Sequence, residues 1–318
     1  MMNEIENKHF QRDFTPRLSV IIPTHNRPDA LEQLLASIQA QTSPAAEFEV
    51  LVIDDGSPEP ATQENRRLAK HDWPFALLYA HQASTGPAIA RNRMTERSRA
   101  PIVLFLNDDV TLNPVHFTEH LRLHAENPAE NIVVRGWTNW PPMERDTPLM
   151  CSLRSRTFRY DYDVLPGEEH WIYFHTCDLS LKRSLLLRHP FDEEFPYASF
   201  EDTELGYRLC VEESMRLILA PEAVSEHRHD YDWRAMLRRA RVNGKSAALL
   251  IRKHPYMAQR LLHHFYPISR RRRLIRAIQR WFQHEREGFW EDLEMFIYLR
   301  ALERTQRLLN KGVPIHEV

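Results

Sequence analysis

Ile102-Val-Leu-Phe-Leu-Asn-Asp-Asp109 is five unbroken apolar residues running straight into two carboxylates. A run of that length without polar alternation suits a strand buried on both faces. Upstream, Leu18-Ser-Val-Ile-Ile22 ends at Pro23, and Phe48-Glu-Val-Leu-Val-Ile53 closes on Asp54-Asp55-Gly56-Ser57. A further apolar stretch, Phe75-Ala-Leu-Leu-Tyr79, follows Ala69. Between these runs the period changes. Leu31, Leu34, Leu35 and Ile38 fall at helical spacing behind Pro28 and Asp29, which suit the first turn of a helix. Thr62 to Ala69 and Pro87 to Arg97 read as helices too. Alternating strands and helices predict an α/β chain with a parallel sheet covered on both faces. Ligands of such sheets collect at the carboxyl ends of the strands, which here carry Asp54-Asp55 and Asp108-Asp109.

Farther along, Trp137, Trp140, Trp171, Tyr173 and Phe174 mark an aromatic-rich stretch of mixed strands and loops. A helix is expected from about Asp202 to Glu213, and Ile218-Leu-Ala220 is a short strand before Pro221. From Trp233 onward the pattern is helical, with Ile275, Ile278 and Phe282, then Leu293, Phe296 and Ile297, at helical spacing.

With 318 residues, 42% apolar and 27% charged, the chain can bury a large core, and collagenous, disordered and disulfide-scaffold classes are excluded. The three cysteines, Cys151, Cys177 and Cys210, lack CxxC spacing, which excludes a zinc ribbon and points to free thiols in a reducing compartment. There is no apolar run long enough to span a bilayer, and Met1 to Phe14 is polar, unlike a signal peptide. A cytoplasmic protein is expected.

The near-zero net charge of −2 hides a segregation. Residues 1–232 carry 23 basic and 37 acidic side chains, net −14, whereas residues 233–318 carry 19 and 7, net +12. Trp233 to His284 contains 14 Lys and Arg and no acid. The shift sets the expected boundaries: an N-terminal extension at 1–16, a catalytic domain at 17–232, and a basic helical region at 233–318. The basic segment either presents solvated helix faces or docks on an anionic surface through Arg270 to Arg273. The acidic first part would repel a nucleic-acid backbone. The apolar tail could also pair two copies in a homodimer.

Neither GxGxxG nor GxxxxGK[ST] occurs, so dinucleotide and P-loop sites are absent. A bound diphosphate would need a metal ion and basic side chains instead. Asp108-Asp109 is either a solvated acidic turn or a ligand pair for Mg²⁺ or Mn²⁺. Four elements in order then resemble the family 2 glycosyltransferases of GT-A fold: Val20-Ile-Ile-Pro-Thr-His-Asn26, Val52-Ile-Asp-Asp-Gly-Ser57, Gly86-Pro-Ala-Ile-Ala-Arg-Asn92 and Phe105-Leu-Asn-Asp-Asp109. Phe191 to Phe195, Glu201 to Leu209 and Glu222 to His227 extend the resemblance to about residue 232. It implies a Rossmann-like, mostly parallel sheet flanked by helices, with a helical C-terminal extension. The implied activity is inverting, metal-assisted sugar transfer from a nucleotide-diphosphate sugar, UDP- or dTDP-linked first, to a glycan or lipid-linked acceptor in polysaccharide biosynthesis.

The roles implied by the resemblance fall on named residues. Asp55 would bind the base, Pro23, Thr24, His25 and Asn26 would line the nucleoside pocket, and Arg91 would lie near the nucleotide. Asp108 would lie by the ribose, and Asp109 and His227 would ligate the metal. Asp202 would be the general base; Glu201-Asp202 reads otherwise as a helix cap, a role compatible with facing a cleft. Trp137 and Trp140 either stack on acceptor sugars or pack the core. Asp178 and Glu201 are further acceptor-side candidates, and His229, close to His227, is a weaker metal candidate. Cys177 reads as a small buried residue rather than a nucleophile. Two rival classes are a sugar nucleotidyltransferase, disfavoured because Pro23 to Asn26 has no glycine, and a non-catalytic binding module.

Overall fold

The computed structural model describes residues 3–10, 15–140, 147–154, 167–228, 232–257 and 270–314. They form two compact units. The first comprises Met1–Pro141, Asp161–Glu193 and Glu201–Arg228; the second comprises Pro142–Tyr160, Glu194–Phe200 and His229–Val318. His229 lies outside the described residues.

In the first unit the predicted alternation is realised as β2 (Leu18–Thr24), α1 (Pro28–Gln39), β3 (Phe48–Asp55), α2 (Ala61–Ala69), β4 (Ala76–Gln82), α3 (Pro87–Arg97) and β5 (Ile102–Leu106). β2 pairs in parallel with β3 and β5, and β3 with β4. β1 (Asn3–Glu6), within the N-terminal segment, adds antiparallel to β4. Beyond β5 come β6 (Val110–Leu112), α4 (His116–Glu126), β7 (Ile132–Asn139), β8 (Asp178–Lys182), α6 (Arg183–Arg188), α7 (Glu201–Glu213) and β9 (Arg216–His227). The nine strands run in the order β1-β4-β3-β2-β5-β8-β7-β9-β6. Following the pairings across, all but β1, β8 and β6 point the same way.

Both faces are covered, as unbroken apolar strands require. Leu18, Val20, Ile22, Val50, Val52, Leu104 and Leu106 pack with α1 residues Leu31, Leu34, Leu35 and Ile38 on one face. Ile21, Leu51, Ile53, Val103 and Phe105 pack with Ala90 and Met94 of α3 and Leu205 and Leu209 of α7 on the other. The short strand expected at Ile218 to Ala220 is part of a twelve-residue strand, β9. Its pairing with β7 jumps from Gly136–Ala220 to Trp137–Val224. That bulge accommodates Pro221, which cannot donate to a ladder.

The second unit holds α5 (Pro148–Arg154), α8 (Trp233–Lys253), α9 (Arg270–Phe282) and α10 (Arg286–Leu309). Ala240 and Ala247 of α8 pack on Tyr298, Leu299 and Leu302 of α10. Between them a Cβ at Gly244 would come within 2.3 Å of the Tyr298 carbonyl, so only glycine permits this approach. The run Arg270 to Arg273 does not act as one exposed patch. Arg273 is buried, with Nη1 2.7 Å from Asp292 Oδ1, and Arg270 Nη2 lies 3.4 Å from Glu303 Oε2. The three cysteines are free. Among the described residues no helix is long and apolar enough to cross a membrane.

Candidate active site

β5 delivers Asp108 and Asp109 to the carboxyl edge of the parallel strands, and both carboxylates are buried. Thr24, at the end of β2, donates from Oγ1 to Asp108 Oδ2 at 2.7 Å. Arg27, just before α1, donates from Nη1 to Asp108 Oδ1 at 3.1 Å and to Asp109 Oδ2 at 2.7 Å. Burial and then the charge of Asp109 push the Asp108 carboxyl up to about 6, against the pull of Arg27 and Thr24. Because β6 sets Val110 opposite His227, β9 brings His227 Nε2 to 3.3 Å from Asp109 Oδ1. The Arg228 amide donates to the Asp109 carbonyl at 2.8 Å and fixes that register.

Asp109, in contact with His227 and sharing Arg27 with Asp108, offers carboxylate and imidazole donors of the kinds that Mn²⁺ and Mg²⁺ take. Two buried carboxylates share the Arg27 guanidinium, and a divalent cation would offset the charge left over. The residues fit such an ion.

The loops after β2, β3 and β4 are tied together beside this pair. His25 Nδ1 lies 3.0 Å from the Asp55 carbonyl, and the Asn26 amide donates to Ser57 Oγ at 2.8 Å. Asn26 itself is left-handed, with φ of 56°, a conformation asparagine tolerates well. The Asp55 carboxylate, half-buried, accepts from the amides of Thr85 and Gly86 at 2.8 and 2.9 Å and from Gln82 Nε2 at 2.8 Å. Pro23, Thr24, His25, Asn26 and Asp55 thus share one edge. Asp54 is structural instead, accepting from Ser57 N, Asn65 Nδ2 and the Tyr79 hydroxyl.

Asp202 reaches the same edge from another direction. β8 runs against β5 with Asp178 opposite Leu106, and the Asn107 amide donates to the Cys177 carbonyl at 3.2 Å. The segment before β8 therefore lies alongside Asp108. In that segment His175 places Nδ1 3.8 Å from Asp202 Oδ2. Asp202 does not cap α7 in the usual way; its Oδ1 accepts from the adjacent Thr203 amide at 2.7 Å. Burial works against its charge, but His175 and Arg91 outweigh that and hold the carboxyl below its ordinary value.

Several expected contacts fall elsewhere. Arg91, expected beside the nucleotide, donates from Nη1 to Glu201 Oε1 at 2.8 Å, both side chains being buried. Glu201 is therefore the other half of an internal pair anchoring the start of α7, not an acceptor contact. Trp140 is buried with its ring edge-on to His227 at 4.9 Å, so it orients the histidine rather than stacking on a sugar. Trp137 is half-buried, its Nε1 donating to Asn139 Oδ1 at 3.0 Å. Cys177 is buried, and desolvation pushes its thiol up to about 12, which removes it as a nucleophile.

Asp178 is the largest departure. It has no solvent exposure and lies 3.0 Å from His116 Nε2, 3.2 Å from His120 Nε2 and 2.7 Å from the Ser225 hydroxyl that donates to it. No acceptor reaches it. Burial opposes its charge, yet the two histidines hold it below the usual carboxylate range. Among the described residues, the group whose donor atoms lie near enough, within 4.8 Å, to share a metal is His116, His120 and Asp178. Their hydrogen bonds to one another and to Ser180 and Ser225 already occupy most of those atoms.

The residues that sequence reasoning missed are Arg27 and His175. Arg27 carried a signal: a cation at the positive end of a helix is unfavourable without an anionic partner. His175 carried none, because its partner is brought by folding.

The sequence model of the family described as "Glycosyl transferase family 2" matches residues 19–186, more than half of the chain. The chain belongs to that family. It is 32% identical over 221 residues to the validoxylamine A glucosyltransferase of Streptomyces hygroscopicus subsp. jinggangensis (strain 5008), covering 61% of this chain and 51% of that protein. It is 29% identical over 242 residues to the pre-mycofactocin glycosyltransferase of Mycobacterium tuberculosis (strain CDC 1551 / Oshkosh), covering 75% and 48%. The chain thus spans about half the length of these curated relatives. Among solved structures, the mannosyltransferase PcManGT of Pyrobaculum calidifontis, in complex with GDP-Man and Mn²⁺, superposes with a TM-score of 0.64 at 19% identity, over 93% of this chain and 88% of that one. GalNAc-T7 with UDP, GalNAc and Mn²⁺ gives 0.53 at 13% identity, over 73% and 48%. The family 2 chain therefore has the GT-A fold expected from its motifs, with a helical C-terminal region.

Proposed function

We propose that the chain is an enzyme that transfers a sugar from a nucleotide-diphosphate donor to an acceptor hydroxyl with inversion, assisted by Mn²⁺ or Mg²⁺. The observation that carries this is the contact of Asp109 with His227 at the strand edge, Asp108 next to it on the shared Arg27, with Asp202 beside His175 on the adjoining segment. The named activities of the glucosyltransferase and mannosyltransferase relatives support it. A divalent cation held by Asp109 and His227, with Asp108 beside it, would offset charge developing on the diphosphate leaving group. Asp55 and the Pro23 to Asn26 loop hold the nucleoside, UDP- or dTDP-linked in the first instance. Asp202, kept ionised at neutral pH, accepts the proton that the acceptor hydroxyl loses as its oxygen attacks the anomeric carbon. The acceptor is a glycan or lipid-linked saccharide of a polysaccharide pathway. The free cysteines fit work in the cytoplasm.

Asp202→Asn tests the base. Donor binding should persist while transfer falls by roughly 10²–10⁴-fold. Near-normal transfer by the variant would move the base elsewhere, with His175 next in line.

A further inference from the structure

We propose that the outer face of α9 docks on an anionic lipid surface, independently of the activity assigned above. α9 carries six arginines and no acid. Its inner face is neutralised within the second unit. Arg273, Arg276 and Arg280 lie 2.7, 3.6 and 3.4 Å from the carboxylate of buried Asp292, and Arg270 faces Glu303. Its outer face is different. Leu274, Ile275, Ile278, Trp281 and Phe282 are exposed, Phe282 at 76%, at the i, i+1, i+4, i+7, i+8 spacing of one helical stripe. Arg271 and Arg272 are exposed at the N-terminal end of that stripe.

Large exposed apolar stripes mark contact surfaces. Charge decides which contact. Two copies meeting through this stripe would set four arginines against one another with no acid on either helix. A lipid surface instead offers phosphate to Arg271 and Arg272, whose stems can lie along apolar surface while the guanidinium groups reach the headgroups. Trp281 and Phe282 are side chains that settle at the same depth, and a basic helix with one apolar face lies in that interface. The partially internal pairing of Arg270 to Arg273 means that Arg271 and Arg272, not all four, supply the charge.

The test is co-sedimentation of the full chain with vesicles of phosphatidylcholine containing about one-third phosphatidylglycerol, against pure phosphatidylcholine, at low and high salt. Wild type should bind the anionic vesicles and release in salt. Arg271→Gln with Arg272→Gln should weaken partitioning roughly 10–30-fold. Ile275→Ser, Ile278→Ser and Phe282→Ser together should weaken it at least as much; all are exposed, and circular dichroism confirms that helix content is kept. No wild-type binding at low salt overturns the proposal, as does undiminished binding by the triple variant. So does a dimer in analytical ultracentrifugation that the triple variant dissociates, which would assign the stripe to a second copy.

Discussion

Replacing Asp108 by Asn removes one of two buried carboxylates without changing the size of the side chain. The Asp108 carboxyl is raised from 3.8 to about 6 by burial and by Asp109. At about 1.4 kcal/mol per pH unit, keeping it charged costs the metal-free fold about 3 kcal/mol at neutral pH. Asn keeps an oxygen for Thr24 but loses one bond from the partly exposed Arg27, worth about 1 kcal/mol. The net expectation at pH 7.5 in chelator is a gain of about 1–2 kcal/mol, a rise of a few degrees in melting temperature. The sign follows from the raised value. The contribution of Asp108 to stability is fully present below about pH 4 and is lost as pH rises through about 6. The advantage of the variant should therefore vanish by about pH 4.5. Added Mn²⁺ should shrink the difference, because it offsets the Asp108 charge in wild type, while the variant, which keeps Asp109 and His227, is stabilised less. A variant less stable than wild type at pH 7.5 without metal, or a difference that ignores pH, would refute the assigned charge strain.

Two further outcomes follow from the same geometry. Arg27→Ala removes the cation that spans Asp108 and Asp109, so Mn²⁺ affinity by calorimetry should rise, by about tenfold for a half-exposed competing charge; unchanged or weaker affinity would show that Arg27 does not compete. At Gly136 an added Cβ would fall 2.2 Å from Asp178 Oδ2, so Gly136→Ala should destabilise by roughly 2–4 kcal/mol in denaturant melts, whereas a neutral result would mean that the buried Asp178 cluster yields easily.

Much of the fold was legible because it obeys simple periods. β5 is a continuous apolar run, β2 and β3 are broken near their starts only by Ser19 and Glu49, and α3 spans the residues its pattern predicts. α4 was not legible. Its inward face carries His116, His120 and His124 where an apolar stripe is sought, and β8 answers it with Asp178 and Ser180. That polar ladder is invisible to periodicity because each half makes sense only with the other present. β9 was cut short by Pro221, since the bulge that admits a proline is a property of the pair, not of one strand. In the site, Asp108 and Asp109 announced themselves at a strand end, while the place of His227 beside them rested on the family resemblance. The Arg91–Glu201 pair joins residues 110 positions apart, and nothing local marks it. Asp178 and Glu201 look like acceptor-side groups in sequence because buried carboxylates and ligand-binding ones are the same residue type; only burial and partners separate them.

The most direct measurement is metal-dependent donor hydrolysis by the full chain. A panel of UDP-, dTDP- and GDP-sugars is incubated with Mn²⁺ or Mg²⁺, and released nucleoside diphosphate is followed. Slow release from one class of donor is predicted, stopped by chelator and by Asp109→Ala. Absence of both binding and release across the panel, or release that continues unchanged in chelator and in Asp109→Ala, would contradict a metal-assisted sugar transferase built on Asp109 and His227.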